Sequence, residues 1–367
     1  MTPKTAIIIG FGGIGGAWLR ALKRHPDWQC VGIVDVQTEL LEHVIENGDE
    51  LYGFSEAYLS IEEAVQYGNK PDLAIVATPI NTHHSLVREV MELDVHVICE
   101  KNMAGSVTQG RQMVQAALDK PHLCTAVDTQ YRYGIGPWTA KNFLQEDPCP
   151  IGKLGLIRWY SQDYRGEKRW GWRRHLQDLY LEDMAVHWFD TIRYVTGMEV
   201  VQVKADAFMP RYSEWHGSST LMANLALAHP DDFNHRHEWV WCQFYGDWQA
   251  GGPTSDFVVF HGSKGQARRN DPWGLELRLY TDPNDSRKFE EDGYLPVPDV
   301  ENLGTNFTGQ EIILEMVSRG IDSGGKEQPG THFAEAFKSF AVTMACRESS
   351  FTGKAVHPPK YWADLPI

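Results

Sequence analysis

The chain has 367 residues, 42% of them hydrophobic and 23% charged, with a formal net charge of −15. That length accommodates two domains with separate cores, and the acidic balance excludes a basic stripe for nucleic acid or an anionic membrane, which leaves small-molecule chemistry. Six scattered cysteines (Cys30, Cys99, Cys124, Cys149, Cys242, Cys346) without a CxxC pair read as buried thiols of a reducing compartment; with no secretion signal or bilayer-spanning stretch, a cytoplasmic protein is expected.

The first third alternates short apolar runs with amphipathic stretches. Strands are predicted at 6–9, 31–34, 73–77, 96–99 and 124–127, and helices at 14–23, 40–45, 83–93 and 107–118. This βαβ rhythm makes a doubly wound parallel sheet with helices on both faces, a Rossmann domain assigned to residues 1–128. Pro26, Pro71 and Pro121 each stand between a helix and the next strand, where a helix must stop.

The first strand runs straight into Gly10-Phe11-Gly12-Gly13-Ile14-Gly15, with Gly10, Gly12 and Gly15 in G-x-G-x-x-G spacing at the mouth of a helix. The first glycine permits the tight turn, the second lets the backbone approach a pyrophosphate, and the third allows close helix–strand packing. The next strand ends in Asp35, placed to accept hydrogen bonds from an adenosine ribose and to repel a 2′-phosphate, so NAD is expected rather than NADP.

Beyond residue 128 the pattern changes. A helix is predicted over 181–195, then strands at 200–207, 220–227, 238–244, 256–261 and 276–280, a surface loop at 282–302, and helices at 310–319 and 333–346. Residues 129–367 therefore read as an α+β domain on a mostly antiparallel open sheet. His235 and His237 alternate as on a strand, but no further ligands accompany them, so no metal is expected.

Three further segments carry a family resemblance. They are ATPINTHH (77–84), CEKN (99–102) and LEDMAVHWFDTIRYVTG (181–197), with fainter echoes in Gln130-Tyr-Arg-Tyr, HGSKGQ (261–266) and RESSFTGKAV (347–356). In order and spacing the chain resembles the Gfo/Idh/MocA oxidoreductases, the family of glucose-fructose oxidoreductase and inositol dehydrogenase. The resemblance implies that Thr78, Pro79, Asn81, His83, Glu100, Lys101 and Gln130 join Phe11, Gly13, Ile14 and the fingerprint around the cofactor. It implies that Lys101, Asp183 and His187 are the catalytic groups, with the nicotinamide between Lys101 and the other two. Lys101 would stabilise the substrate oxygen as hydride leaves, His187 would take the hydroxyl proton, and Asp183 would orient one of them or bind a substrate hydroxyl.

The residues themselves leave other readings open. Asp183 and His187 are four apart on one helical stripe with Asp190 and Tyr194, opposite an apolar face, the pattern of a solvated side. Asn102 replaces the proline of the family's Glu-Lys-Pro, where a cis bond is either absent or held at a cost of about 3 kcal/mol. In the loop 163–175, Arg165, Trp170, Trp172 and Arg173 are candidate sugar contacts, by stacking and guanidinium hydrogen bonds, or simply a self-packed loop. The leading expectation is an NAD-dependent dehydrogenase for a secondary hydroxyl of a sugar, sugar acid or cyclic polyol, a homodimer or homotetramer paired through the second sheet. Redox-neutral glycoside cleavage and a non-catalytic NAD-bound sensor are the alternatives.

Overall fold

The computed structural model describes residues 2–54, 56–68, 70–166, 171–269, 277–280, 295–297 and 309–367, with backbone alone at 172, 277–280 and 295–297. The chain forms two compact units, one holding Met1–Gln130, Phe307–Phe337 and Ile367, the other Tyr131–Asn306 and Lys338–Pro366.

The first unit is built on six parallel strands: β1 (Lys4–Ile9), β2 (Trp28–Val34), β3 (Ala57–Tyr58), β4 (Leu73–Val76), β5 (His96–Cys99) and β6 (Thr125–Val127). Helices α1 (Gly13–Arg24), α2 (Thr38–Leu51), α3 (Ile61–Tyr67), α4 (Ile80–Glu92) and α5 (Val107–Asp119) connect them. The strand order β3-β2-β1-β4-β5-β6 reverses direction of travel between β1 and β4, the switch point where open α/β sheets take their ligands. The central strands are apolar on both faces because helices cover both, as the continuous runs at Ala6–Ile9 and Leu73–Val76 require.

Register puts the carboxyl ends of five strands in one row. Val34 pairs with Ile9, Ile9 with Val76, Val76 with Cys99, and Cys99 with Val127. The ladder then continues one residue further, from Gly10 N to Val34 O, Ala77 N to Ile9 O, Glu100 N to Val76 O and Asp128 N to Cys99 O, at 2.8–2.9 Å. Asp35, Gly10, Ala77, Glu100 and Asp128 thus stand side by side on the sheet's carboxyl edge.

The second unit opens with α6 (Ile135–Leu144) and β7 (Leu154–Gln162), followed by a π-helical turn (Leu181–Ala185) leading into α7 (Val186–Thr196). The strands β8 (Glu199–Phe208), β9 (Thr220–Ala228), β10 (Val240–Asp247), β11 (Ser255–Gly262), β12 (Gly265–Arg269), β13 (Leu277–Tyr280) and β14 (Leu295–Val297) complete an eight-stranded sheet. It is antiparallel except where β7 pairs parallel with β10. Its inward residues, among them Ile157, Trp159, Phe244 and Phe260, share one core with Trp188, Phe189 and Ile192 of α7.

Two features depart from the sequence reading. Residues 129–367 do not all belong to the second unit: α8 (Gln310–Asp322) returns to the first, where Trp28 Nε1 donates to Leu314 O at 3.2 Å and Lys4 Nζ to Ser318 Oγ at 2.9 Å. An amphipathic helix announces its apolar face but not the surface it will cover. His235 and His237 lie in or beside a 3₁₀ turn (Arg236–Glu238) rather than on a strand, which begins only at Val240. The predicted loop 282–302 falls largely outside the described residues.

Candidate active site

The glycine loop turns out of β1 with Gly10 at φ +89°, a conformation that favours glycine, and a Cβ there would lie 2.9 Å from Ala77 O. Gly15 faces inward: its Cβ would meet Gly10 O at 2.3 Å, so helix and loop pack backbone to backbone. Beside Gly12 and Gly13, by contrast, an added Cβ would find no protein atom within 4 Å. Two of the three fingerprint glycines are occupied by the fold; the middle one opens on free space. Gly12 caps α1 without a side-chain hydrogen bond and no acid occupies the first turn, so the N–H groups and the helix dipole face that space.

Asp35 is 8% exposed and holds the loop down, its Oδ2 accepting from Phe11 N at 2.8 Å and its Oδ1 from Gln37 N at 3.0 Å. Each oxygen retains a lone pair for a further donor. A ligand bearing a pyrophosphate and a ribose diol fits this arrangement: an uncapped helix start, a gap where side chains would intrude, and a carboxylate at the end of the neighbouring strand.

Across the switch point, Thr78 and Pro79 lead into α4, and Asn81 is exposed in its first turn. His83, expected beside the cofactor, is fully buried: Nε2 lies 2.8 Å from Thr78 O and Nδ1 2.8 Å from Asn102 O. Burial pushes its pKa down, against the pull of the two carbonyls. It acts as a brace between the end of β4 and the residue after Lys101. The Lys101–Asn102 peptide is cis, as the family's proline would have favoured, and Asn102 is 2% exposed.

Glu100 is likewise inside, with Oε1 accepting from Trp18 Nε1 at 2.9 Å and Oε2 from Lys101 N at 3.3 Å. Its neighbour in the row, Asp128, is 1% exposed and accepts from Gln310 Nε2 at 3.0 Å. Turned to satisfy its neighbours, the Gln130 amide also donates to Asp128, at 3.1 Å to Oδ1 and 2.9 Å to the carbonyl. Burial, then the adjacent Glu100, raises the Asp128 carboxyl well above the usual carboxylate range. Trp18, Asp128 and Gln310 escaped the sequence reading. The strand-end rule that picked out Glu100 and Lys101 points equally to Asp128, whereas nothing local marks Gln310.

In the second unit, Asp183 and His187 are 4% and 3% exposed, so the polar stripe is no solvated side. The π-helical turn and α7 are buried almost all round, and their charged groups have partners, as burial demands. Asp183 Oδ2 pairs with Arg173 Nε at 2.6 Å, Asp190 with Arg132 through Nε at 2.6 Å and with Ser339 Oγ at 2.8 Å, and Arg193 with Glu199 at 2.7 and 2.9 Å. The His187 ring stacks on Tyr131, centroids 3.9 Å apart at 25°. A π-helical turn carrying Asp183 is itself a common mark of functional sites.

Of the loop candidates, Arg173 is thus committed to Asp183, and Arg165 pairs with Asp163. Trp170 lies outside the described residues, as does the side chain of Trp172. Among the described residues, His25, Asp27 and Glu315 bring potential metal-ligand atoms within 4.8 Å of one another at the far end of α1. Glu315 there already accepts from Arg319 at 2.7 Å, and His25 Nδ1 from Asp27 N at 3.3 Å.

A parallel sheet in this order, with the glycine turn and strand-end carboxylate just described, defines an NAD-binding Rossmann domain joined to an α+β domain. Residues 4–127 match the family described as "Oxidoreductase family, NAD-binding Rossmann fold", and residues 149–268 the "GFO/IDH/MocA C-terminal domain". The chain belongs to the Gfo/Idh/MocA oxidoreductase family. It is 29% identical over 203 residues to the myo-inositol 2-dehydrogenase of Thermotoga maritima, a match that covers 54% of this chain and only 57% of that protein. An oxidoreductase from Agrobacterium radiobacter, in complex with NAD+, L-tartaric acid and magnesium, shares the fold with a TM-score of 0.78 at 19% identity, over 98% of this chain and 99% of that one. A levoglucosan dehydrogenase in complex with NADH and L-sorbose does so with a TM-score of 0.78 at 20% identity, over 98% of this chain and 100% of that one.

Proposed function

We propose that the protein is an NAD-dependent dehydrogenase acting on a secondary hydroxyl of a sugar, sugar acid or cyclic polyol. The observation that carries this reading is the strand-end row: Asp35 and Gly10 on the dinucleotide side, Glu100 on the other, and Lys101 one residue beyond it. The names of relatives, inositol 2-dehydrogenase and levoglucosan dehydrogenase, support the substrate class.

The bound nicotinamide supplies the hydride acceptor. In this reading the Lys101 ammonium donates to the substrate oxygen and stabilises negative charge developing there. His187, its ring seated on Tyr131, takes the hydroxyl proton. Asp183, anchored from one side by Arg173, accepts a hydrogen bond from a neighbouring hydroxyl of the same substrate and fixes its orientation.

Appearance of NADH absorbance with a panel of inositols, aldoses, anhydrosugars and aldonates tests the proposal. Lys101→Ala and His187→Ala should each lower kcat by about 100-fold or more. No response across the panel with cofactor bound, or turnover within a few-fold of the parent in both variants, would refute it.

The proposal extends to self-association through the second sheet. On its face away from the core, Tyr160 stacks on Tyr245 at 4.7 Å and on Phe257 at 5.1 Å, an aromatic ladder that a second copy would cover. Sedimentation should give a dimer or tetramer; a monomer at micromolar concentration would remove this part.

A further inference from the structure

Glu100 and Asp128 are neighbours by register, each the first residue past the paired Cys99 and Val127, with Asp128 N donating to Cys99 O at 2.9 Å. Both carboxyls are buried, at 6% and 1% exposure. Two adjacent carboxylates in a dry site repel strongly, and the arrangement is stable when one proton is shared between them. Neutral donors reach both: Trp18 Nε1 and Lys101 N on Glu100, Gln310 and Gln130 on Asp128. The titratable groups facing the pair are Lys101, His83 and the buried thiol of Cys99.

We propose that Asp128 is a positioning residue for Lys101: as the protonated member of a carboxyl pair it donates to Glu100 and so fixes the strand end from which Lys101 projects. Glu100 receives three donors in this arrangement, from α1 (Trp18), from its own strand end (Lys101 N) and from Asp128. Gln310 of α8 closes the far side. The hydrogen bonds run from the helix that follows the glycine loop, beneath the row, to the returning helix. They tie the lysine to the dinucleotide loop. The pair carries one negative charge opposite the ammonium; a second, gained if the proton is lost at alkaline pH, would break the hydrogen bond and release the strand end.

This rests on the reading of Lys101 as the group that meets the substrate oxygen, and the experiment keeps the two apart. In Asp128→Asn the amide N–H replaces the acid proton, so kcat should stay within about threefold of the parent; in Asp128→Ala it should fall by up to about 100-fold with a smaller change in KM. The alkaline limb of kcat should lie at higher pH in Asp128→Asn than in the parent, since the pair then has no proton to lose. Independently of turnover, infrared spectra at pH ~8 in a Glu89→Gln background, which removes the half-buried carboxyl whose pKa is raised to about 7, should show a protonated-carboxyl C=O band that Asp128→Asn abolishes. If no such band depends on Asp128, or if the alanine and asparagine variants turn over alike, the proposal is wrong. Should Asp128→Ala fail to fold, the asparagine variant and the infrared band still decide. Normal turnover in Lys101→Ala with the band intact would instead overturn the assignment of the lysine.

Discussion

Asp35 serves the loop before it serves any ligand. Its two oxygens accept from Phe11 N and Gln37 N, so the carboxylate that would meet the ribose also sets the path of the backbone around the pyrophosphate. Replacing it by alanine removes a charged acceptor from two N–H groups and from the ribose diol. Hydrogen bonds to charged groups contribute about 1.5–3 kcal/mol, so NADH should bind Asp35→Ala about 10- to 100-fold more weakly. The preference for NADH over NADPH should narrow as well, because the repulsion of a 2′-phosphate goes with the charge. Fluorescence titration with both nucleotides measures this; unchanged NADH affinity with an unchanged ratio would dismiss Asp35 as the selecting residue. Gly15 is a residue of another kind, contributing by absence, since any side chain there collides with the Gly10 carbonyl.

At the scale of elements, the sequence was most readable where a local pattern and its physical cause coincide. Strands β1, β2 and β5 are short apolar runs whose ends could be placed closely enough to single out Gly10, Asp35, Glu100 and Lys101. The two-residue β3 and the seven-residue α3 are too short to show a period. β7 does carry one, Ile157, Trp159 and Ser161 inward against Arg158 and Tyr160 outward, yet it passed unread among the aromatic residues after 150. For α7 the period was correct, but it left open whether the polar stripe meets water. Asp183, His187 and Asp190 form a stripe, but periodicity cannot distinguish water from a row of guanidinium partners, and Arg132 and Arg173 are 58 and 10 residues away from theirs. The same blindness to distance hid Gln310, which reaches Asp128 across 182 positions. His83, expected among the cofactor contacts, shows what the pattern could not: both its ring nitrogens lie against carbonyls of the scaffold.

For the molecule as a whole, proton linkage gives a stability that changes with pH through identifiable groups. Glu89 on α4 is half-buried and faces Glu62 on α3; burial first, then the neighbouring carboxylate, raises its pKa to about 7. An unfolded glutamate titrates near about 4.3, so between those values the native state holds a proton that the unfolded chain has released. Stability from this group is therefore full below the unfolded pKa and is lost as pH rises through the folded one. Glu62 is shifted the other way, its pKa lowered, so its contribution is lost only in acid, below the range that matters here. Glu89→Gln keeps a neutral donor toward Glu62 and removes the titration. The variant should thus match the parent near pH ~4 and exceed it increasingly up to pH ~8, a rising difference in Tm by calorimetry at the two ends of that range. The Glu100–Asp128 pair, common to both proteins, cancels from the comparison. A Tm difference independent of pH would mean that Glu89 does not hold its proton in the folded chain. The chain's net charge, −15 at pH 7, changes sign near its isoelectric point of about 5.4, so a general relief of repulsion would leave the variant less stable than the parent at pH ~4, whereas release of the Glu89 proton leaves the two equal there and the variant ahead only at higher pH.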